Sequence, residues 1–263
     1  MGRTLLCVVC CAAIVGTACG GGGSSTTSPS PAPSVPIDNA CGALGSTAIV
    51  NGAACGAGTA AVVLVNLRGK DGLPSGSCSG TVIAPRAVLT AAHCLNGDVG
   101  TVRIYLGSGP ELTAQSFTPM PGYRENDAAA LDAGVVLMGQ DIGRTPIPLL
   151  LSRDARIGET AIVAGWGLDQ NQVGSTLRAG STTITAVTAT QLQTEFRLNA
   201  SAVCSGDSGG PLLVSEGGGW AVAGITSAVT GTACTFGINY FANVRNPTIS
   251  SFILGLVPNA GRR

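Results

Sequence analysis

Charge is scarce in this chain of 263 residues. Asp, Glu, Lys and Arg together make up 11% of it, and the formal net charge is zero. A nucleic-acid binder would show a basic excess, so that class is set aside. Charge-driven disorder needs far more charge than this. Lysine occurs once, at Lys70, and histidine once, at His93. The apolar run near the start, residues 5–15, is about half the roughly 20 residues that a membrane-spanning helix needs. No internal repeat, no metal-binding cluster and no cofactor motif stands out, so neither a metal nor a cofactor is expected. What the chain has in plenty is glycine, 39 residues of it, with Val, Thr and Ile in short runs and few long helical patterns. That composition predicts an all-β protein with tight turns. The length allows one or two domains.

The ten cysteines fall into two groups, four before residue 20 and six after residue 40. The first group lies in a targeting segment. Arg3 followed by the apolar run reads as a secretory signal over residues 1–18. Gly16-Thr17-Ala18-Cys19 resembles a bacterial lipobox, in which the cysteine becomes the lipidated N-terminus. Gly16 departs from it, since a branched apolar residue is usual there. Ordinary cleavage after Ala18 is the other reading. More than one acyl chain on Cys19 would anchor the protein stably. Residues 19–40 are rich in Gly, Ser and Pro and read as a tether, flexible at first and stiffer near Pro29, Pro31 and Pro33.

From residue 60 onward the pattern is strand-like. Runs at 61–67, 102–107, 135–138, 161–167, 182–187, 191–198, 212–214 and 220–227 read as strands. Residues 78–85 and 87–90 read as a hairpin that delivers His93. Residues 246–256 carry Ile249, Phe252, Ile253 and Leu256 at helical spacing and predict a terminal helix.

Two short segments carry chemistry. In Gly206-Asp207-Ser208-Gly209-Gly210, glycines allow a tight turn and close approach of a substrate to backbone N–H groups. A serine hydroxyl needs a base to take its proton and donors to hold the oxyanion it creates. The N–H groups of Gly206 and Ser208 can converge on one point as such donors. On its own the pentapeptide also reads as a glycine-rich surface loop. The base would be His93, in Leu89-Thr90-Ala91-Ala92-His93-Cys94. A lone histidine in an apolar run is ordinarily a satisfied core residue.

Taken together, in order, spacing and flanking cysteines, the two segments resemble the trypsin/chymotrypsin-like serine endopeptidases, over roughly residues 49–257. The resemblance implies two six-stranded antiparallel β-barrels with a short C-terminal helix and a protease domain over residues 49–259. It implies that Ser208 attacks, His93 moves the proton and an aspartate orients His93. Asp132, which begins Asp132-Ala133-Gly134-Val135-Val136-Leu137-Met138, resembles the family's acid. Asp127, followed by alanines that make poor strands, matches less well. Residues 41–48 resemble a propeptide. Ile49-Val50-Asn51-Gly52 resembles the new N-terminus whose ammonium would pair with Asp207. Ala48 stands where the family usually has a basic residue, so the activating cut would not be trypsin-like. The resemblance also implies the disulfides Cys78–Cys94 and Cys204–Cys234. Cys41 and Cys55 remain, and are expected as a third pair that would keep the propeptide attached. Six cysteines allow 15 connectivities, and disulfides place the protein in an oxidising compartment.

Ala202 lies where the family has the base of its primary pocket. With no carboxylate there, a buried cation would lack a counter-charge. Val229 stands where many relatives carry a wall glycine, and Asn239 is expected on the opposite wall. The backbone of Ser227, Ala228 and Val229 would pair with an extended substrate. The expected activity is therefore a serine endopeptidase with an elastase-like preference for small or medium apolar residues before the scissile bond. The alternative is an inert homologue that binds or scaffolds. Expected partners are a protein or peptide substrate and a protein inhibitor. Membrane contact is expected only through a lipid anchor, on a monomer at an outer-membrane or cell surface, or secreted.

Overall fold

The computed structural model describes residues 53–54, 60–125, 127, 131–169, 171–196, 200–230, 234 and 236–263. The expected signal, tether and propeptide, with Cys19, Cys41, Ile49 and Cys55, lie outside the described residues. So does the expected third disulfide.

The first strand, β1, is the short Ala53–Ala54. Six strands then form a closed barrel: β2 (Val62–Gly69), β3 (Pro74–Ala84), β4 (Ala87–Thr90), β5 (Val99–Tyr105), β6 (Leu112–Pro119) and β7 (Gly134–Met138). They pair in the ring order β2-β3-β4-β7-β6-β5. Val63, Val65, Val82, Val88, Ile104 and Val136 share one face of the sheet, and with Ile83 and Val135 on the other all are fully buried. These β-branched side chains suit a pleated surface, and their burial is what holds the ring closed.

The second barrel contains β8 (Thr160–Gly165), β9 (Arg178–Val187), β10 (Gln191–Glu195), β11 (Pro211–Glu216), β12 (Gly219–Val229) and β13 (Ile238–Asn243). Pairing of β8 with β9 closes the ring, and β1 adds to β9 at its edge. Leu192, Leu212, Val214, Ile184 and Phe241 form its core. Every strand pair is antiparallel. The fold is thus the expected one, two six-stranded antiparallel barrels and a short C-terminal helix.

Residues 147–149 stitch the barrels together. Ile147 donates its N–H to Val82, and Val222 donates to Pro148. The Trp166 indole donates to the Val62 carbonyl at 3.3 Å and meets Tyr105 edge to face at 5.9 Å. The terminal helix runs Pro247–Leu256. Asn246 caps it by accepting from the N–H groups of Thr248 and Ile249, and Pro247 takes the first-turn position that needs no donor. Ile249 and Ile253 are its buried face.

Strands β6 and β13 were not among the runs read from sequence. β6 reads Leu-Thr-Ala-Gln-Ser-Phe-Thr-Pro and none of its residues is fully buried, so it carries little apolar periodicity. β13 reads Ile-Asn-Tyr-Phe-Ala-Asn, and its two asparagines are buried on hydrogen bonds rather than turned to solvent. Pairing on both sides, not amphipathic pattern, makes each of them a strand.

Candidate active site

The β3–β4 hairpin leads through Ala91 into a helical turn, Ala92–Leu95, that carries His93. The Cys78–Cys94 disulfide ties that turn to β3 across 16 residues of sequence. His93 Nδ1 lies 2.7 Å from Asp132 Oδ2, and the His93 backbone N–H donates to Asp132 Oδ1 at 3.0 Å. The Ser227 hydroxyl also donates to Oδ2, at 2.6 Å. Asp132 is 2% exposed, so its charge is held by three donors and by no cation among the described residues. A carboxylate only accepts, so Nδ1 carries the proton and Nε2 keeps its lone pair free to take a proton. Burial pushes the nearby Tyr123 phenol up to about 12, with the charges of Asp132 and Glu125 adding to it. Asp127 is exposed instead, 3.8 Å from Arg124.

Ser208 sits in the turn between Cys204 and β11. Several contacts bring this turn to the histidine. Gly209 packs so closely on the first barrel that a Cβ there would lie 2.8 Å from the Ala91 nitrogen. Cys94 Sγ lies 3.9 Å from the Ser208 carbonyl. Gly209 donates to Thr226 at 2.8 Å, next to the Ser227 that holds Asp132. Gly206 and Gly209 have φ of +92° and +80°, where a side chain would be strained. The N–H groups of Gly206 and Ser208 have no acceptor among the described residues.

Asp207, beside the serine, is fully buried. It accepts from the N–H of Gly167 at 2.9 Å and from that of Cys204 at 2.8 Å. Burial pushes its carboxyl up to about 7, against those two bonds and the charge of Arg178. A Cβ on Gly167 would lie 2.6 Å from the Asp207 carboxyl carbon, so Gly-Trp-Gly is what lets this acid approach. Its expected partner Ile49 is outside the described residues.

A cleft of about 250 Å³ opens at Ser208. Val203, Cys204, Ser205, Thr226, Ser227, Ala228, Val229 and Cys234 line the rest of it. The Cys204–Cys234 disulfide closes one side. Val229 is 37% exposed at this lining. Ala202 is buried beside the disulfide with Leu168 and Phe196. Asn239 pairs across strands with Val229. It is 3% exposed, and its amide donates to Thr194 on the neighbouring strand at 3.0 Å. A second cleft, about 440 Å³, lies on the His93 side between β2, β3 and β5 and includes Leu67, Leu73, Asn96 and Val99.

Cys78, His93 and Cys94 lie close enough for one ion. The two sulfurs are bonded to each other and offer no thiolate, so the donor set does not suit a metal. Sequence reasoning assigned Ser227 a backbone role and missed its hydroxyl. It also passed over Ser79, a polar residue at 0% exposure on β3. A hydroxyl residue inside a strand-like run was the local signal for Ser227, and its partner Asp132 is 95 residues away.

Two barrels, with an imidazole–carboxylate pair on the first and a serine in a glycine turn on the second, have the architecture found in serine hydrolases. The Trypsin family model matches residues 49–250, and the chain belongs to that family. Chymotrypsin from Phaedon cochleariae is 32% identical over 174 residues, which covers 55% of this chain and 62% of that protein. The chain therefore spans about three fifths of that relative's length. Chymotrypsin-like elastase family member 1 from Bos taurus is 28% identical over 187 residues, 60% of this chain and 70% of that protein. The solved structure of HL collagenase matches with a TM-score of 0.67 at 20% identity, over 80% of this chain and 99% of that one. At that identity it speaks for the fold alone. No helix among the described residues is long and apolar enough to cross a membrane.

Proposed function

We propose that this protein is a serine endopeptidase that works through an acyl-enzyme and prefers a small or medium apolar residue before the scissile bond. The observation that carries the reading is His93 Nδ1 at 2.7 Å from buried Asp132, beside the cleft that Ser208 lines. Ser208 Oγ attacks the peptide carbonyl while His93 Nε2 takes its proton. Asp132 keeps the tautomer and stabilises the imidazolium. The N–H groups of Gly206 and Ser208 hold the oxyanion. His93 then protonates the leaving amine, and water releases the acyl group by the same route.

The backbone of Ser227, Ala228 and Val229 pairs with the acyl side of the substrate. Val229 narrows the cleft, and its lining among the described residues, with Ala202 buried next to Cys204, carries no charge for a basic side chain. Cleavage before Ile49 supplies an ammonium to Asp207, a buried acid whose hydrogen bonds among the described residues come from two neutral N–H groups. Ala48 suits the enzyme's own preference, so the chain processes itself. Cys19 carries the lipid, and a Cys41–Cys55 bridge keeps the tether on the cut enzyme.

A peptide-library digest tests the reading. The cut enzyme is expected to cleave after Ala and Val and not after Arg or Lys, and Ser208→Ala to cleave nothing. No cleavage by the wild type, already cut before Ile49, would leave the inert-homologue reading. Cutting of purified Ser208→Ala at residue 48 would contradict self-processing.

A further inference from the structure

The hydroxyl of Ser79 takes no part in the chemistry above, yet it joins three segments of the site. Ser79 lies on β3 next to Cys78 and is fully buried. Its Oγ accepts the Trp166 N–H at 2.9 Å and donates to the Gly206 carbonyl at 2.9 Å. Its backbone N–H donates to the Ser208 carbonyl at 2.8 Å, and its own carbonyl accepts from the Thr90 hydroxyl at 2.8 Å. One residue of the first barrel thereby holds the carbonyls of Gly206 and Ser208, the pair whose N–H groups would face the oxyanion.

A peptide unit is planar, so fixing its carbonyl fixes the N–H on its far side. The plane that carries the Gly206 N–H has the Ser205 carbonyl, which accepts from Leu168 at 2.9 Å. The following plane has the Gly206 carbonyl, which Ser79 holds. Between them Gly206 sits at φ +92°, and glycine resists rotation less than any other residue. With both planes tied from other segments, the N–H stays aimed at the cleft.

We propose that the Ser79 hydroxyl is a positioning residue that keeps the Gly206 peptide in its oxyanion-binding orientation. The proposal rests on the serine-endopeptidase reading of Ser208. Space around it favours serine. A Cβ on Gly165 would lie 3.0 Å from Ser79 Oγ, and one on Gly210 3.2 Å from Ser79 Cβ, so glycines already line the spot. A bond that serves the transition state rather than the bound substrate acts on kcat and leaves KM alone.

The test uses enzyme cut before Ile49, as wild type, Ser79→Ala, Ser79→Cys and Val214→Ala. Val214 is a fully buried core residue of the second barrel, and its truncation serves as a stability control. Kinetics on a peptide substrate are read with the Ki of a peptide boronic acid, whose tetrahedral adduct puts an oxygen between the two N–H groups. Removing an oxyanion donor outright lowers kcat by 10² to 10³; loosening one is expected to lower it by about 10 to 100. Ser79→Ala should therefore lose that factor in kcat with KM within about twofold, and the boronate Ki should rise in parallel. Ser79→Cys, a weaker donor, should fall between, and it decides the matter alone if Ser79→Ala does not fold. Val214→Ala should melt earlier and keep its kcat. Wild-type kcat in Ser79→Ala, a loss confined to KM, or an equal kcat loss in Val214→Ala overturns the proposal alone. A wild type that neither cleaves nor reacts at Ser208 overturns the endopeptidase reading along with it.

Discussion

Ser227 Oγ donates to Asp132 Oδ2 at 2.6 Å, so the carboxylate that holds His93 is itself held from the other barrel. Asp132 enters β7 of the first barrel, and Ser227 lies on β12 of the second. One buried acid thus spans the junction and accepts from both sides of it. The geometry of the base then depends on how the barrels dock.

Replacing Asp132 by Asn should lower kcat by about 10⁴, the effect of presenting the wrong imidazole tautomer in this kind of site. Asp127→Asn should stay within about twofold, because that exposed residue sits by Arg124 rather than by His93. Steady-state rates of the two variants on one peptide decide between the acids. Equal losses would remove Asp132 from its role.

Ser227→Ala should cost less than Asp132→Asn, since two of the three donors to the carboxylate remain. A fall of about tenfold in kcat is expected, about 1.4 kcal/mol, near the lower end for one net hydrogen bond to a charged group. The backbone of Ser227 stays in place, so KM should change little. A loss seen in KM alone would give Ser227 to substrate pairing and not to Asp132.

Asp207 makes the uncut chain sensitive to pH in a definite direction. Its carboxyl is pushed from 3.8 to about 7 by burial. Between those values the folded state binds a proton that the unfolded state has released. Stability is therefore fullest below about pH 4 and declines as pH rises through 7, by an amount on the order of 4 kcal/mol at most. Chemical denaturation of uncut Ser208→Ala across pH 4 to 8 should show this decline, and adding Asp207→Asn should flatten it. Stability that rises over the same window through Asp207 would contradict the burial argument.

Much of the fold was legible because its strands show apolar alternation, as β2 does, or short unbroken apolar runs, as β8 and β12 do. The site was legible for a different reason. His93 is the only imidazole in the chain, and Ser208 stands in a glycine turn that few other functions require. What stayed hidden depends on pairing across the sequence. Ser79 and Gly206 are 127 residues apart, and nothing local to either predicts their bond. The bond from Asn239 to Thr194 likewise joins residues 45 apart. β6 has too few buried side chains to show a period.

The most direct test is whether Ser208 is a nucleophile that His93 activates. Enzyme cut before Ile49 is treated with a fluorophosphonate, and the adduct is mapped by mass spectrometry. The account predicts a single adduct on Ser208, formed rapidly in the wild type and at least a thousandfold more slowly in His93→Ala, on the scale of losing the general base. No adduct on Ser208, or equal labelling with His93 removed, would contradict it.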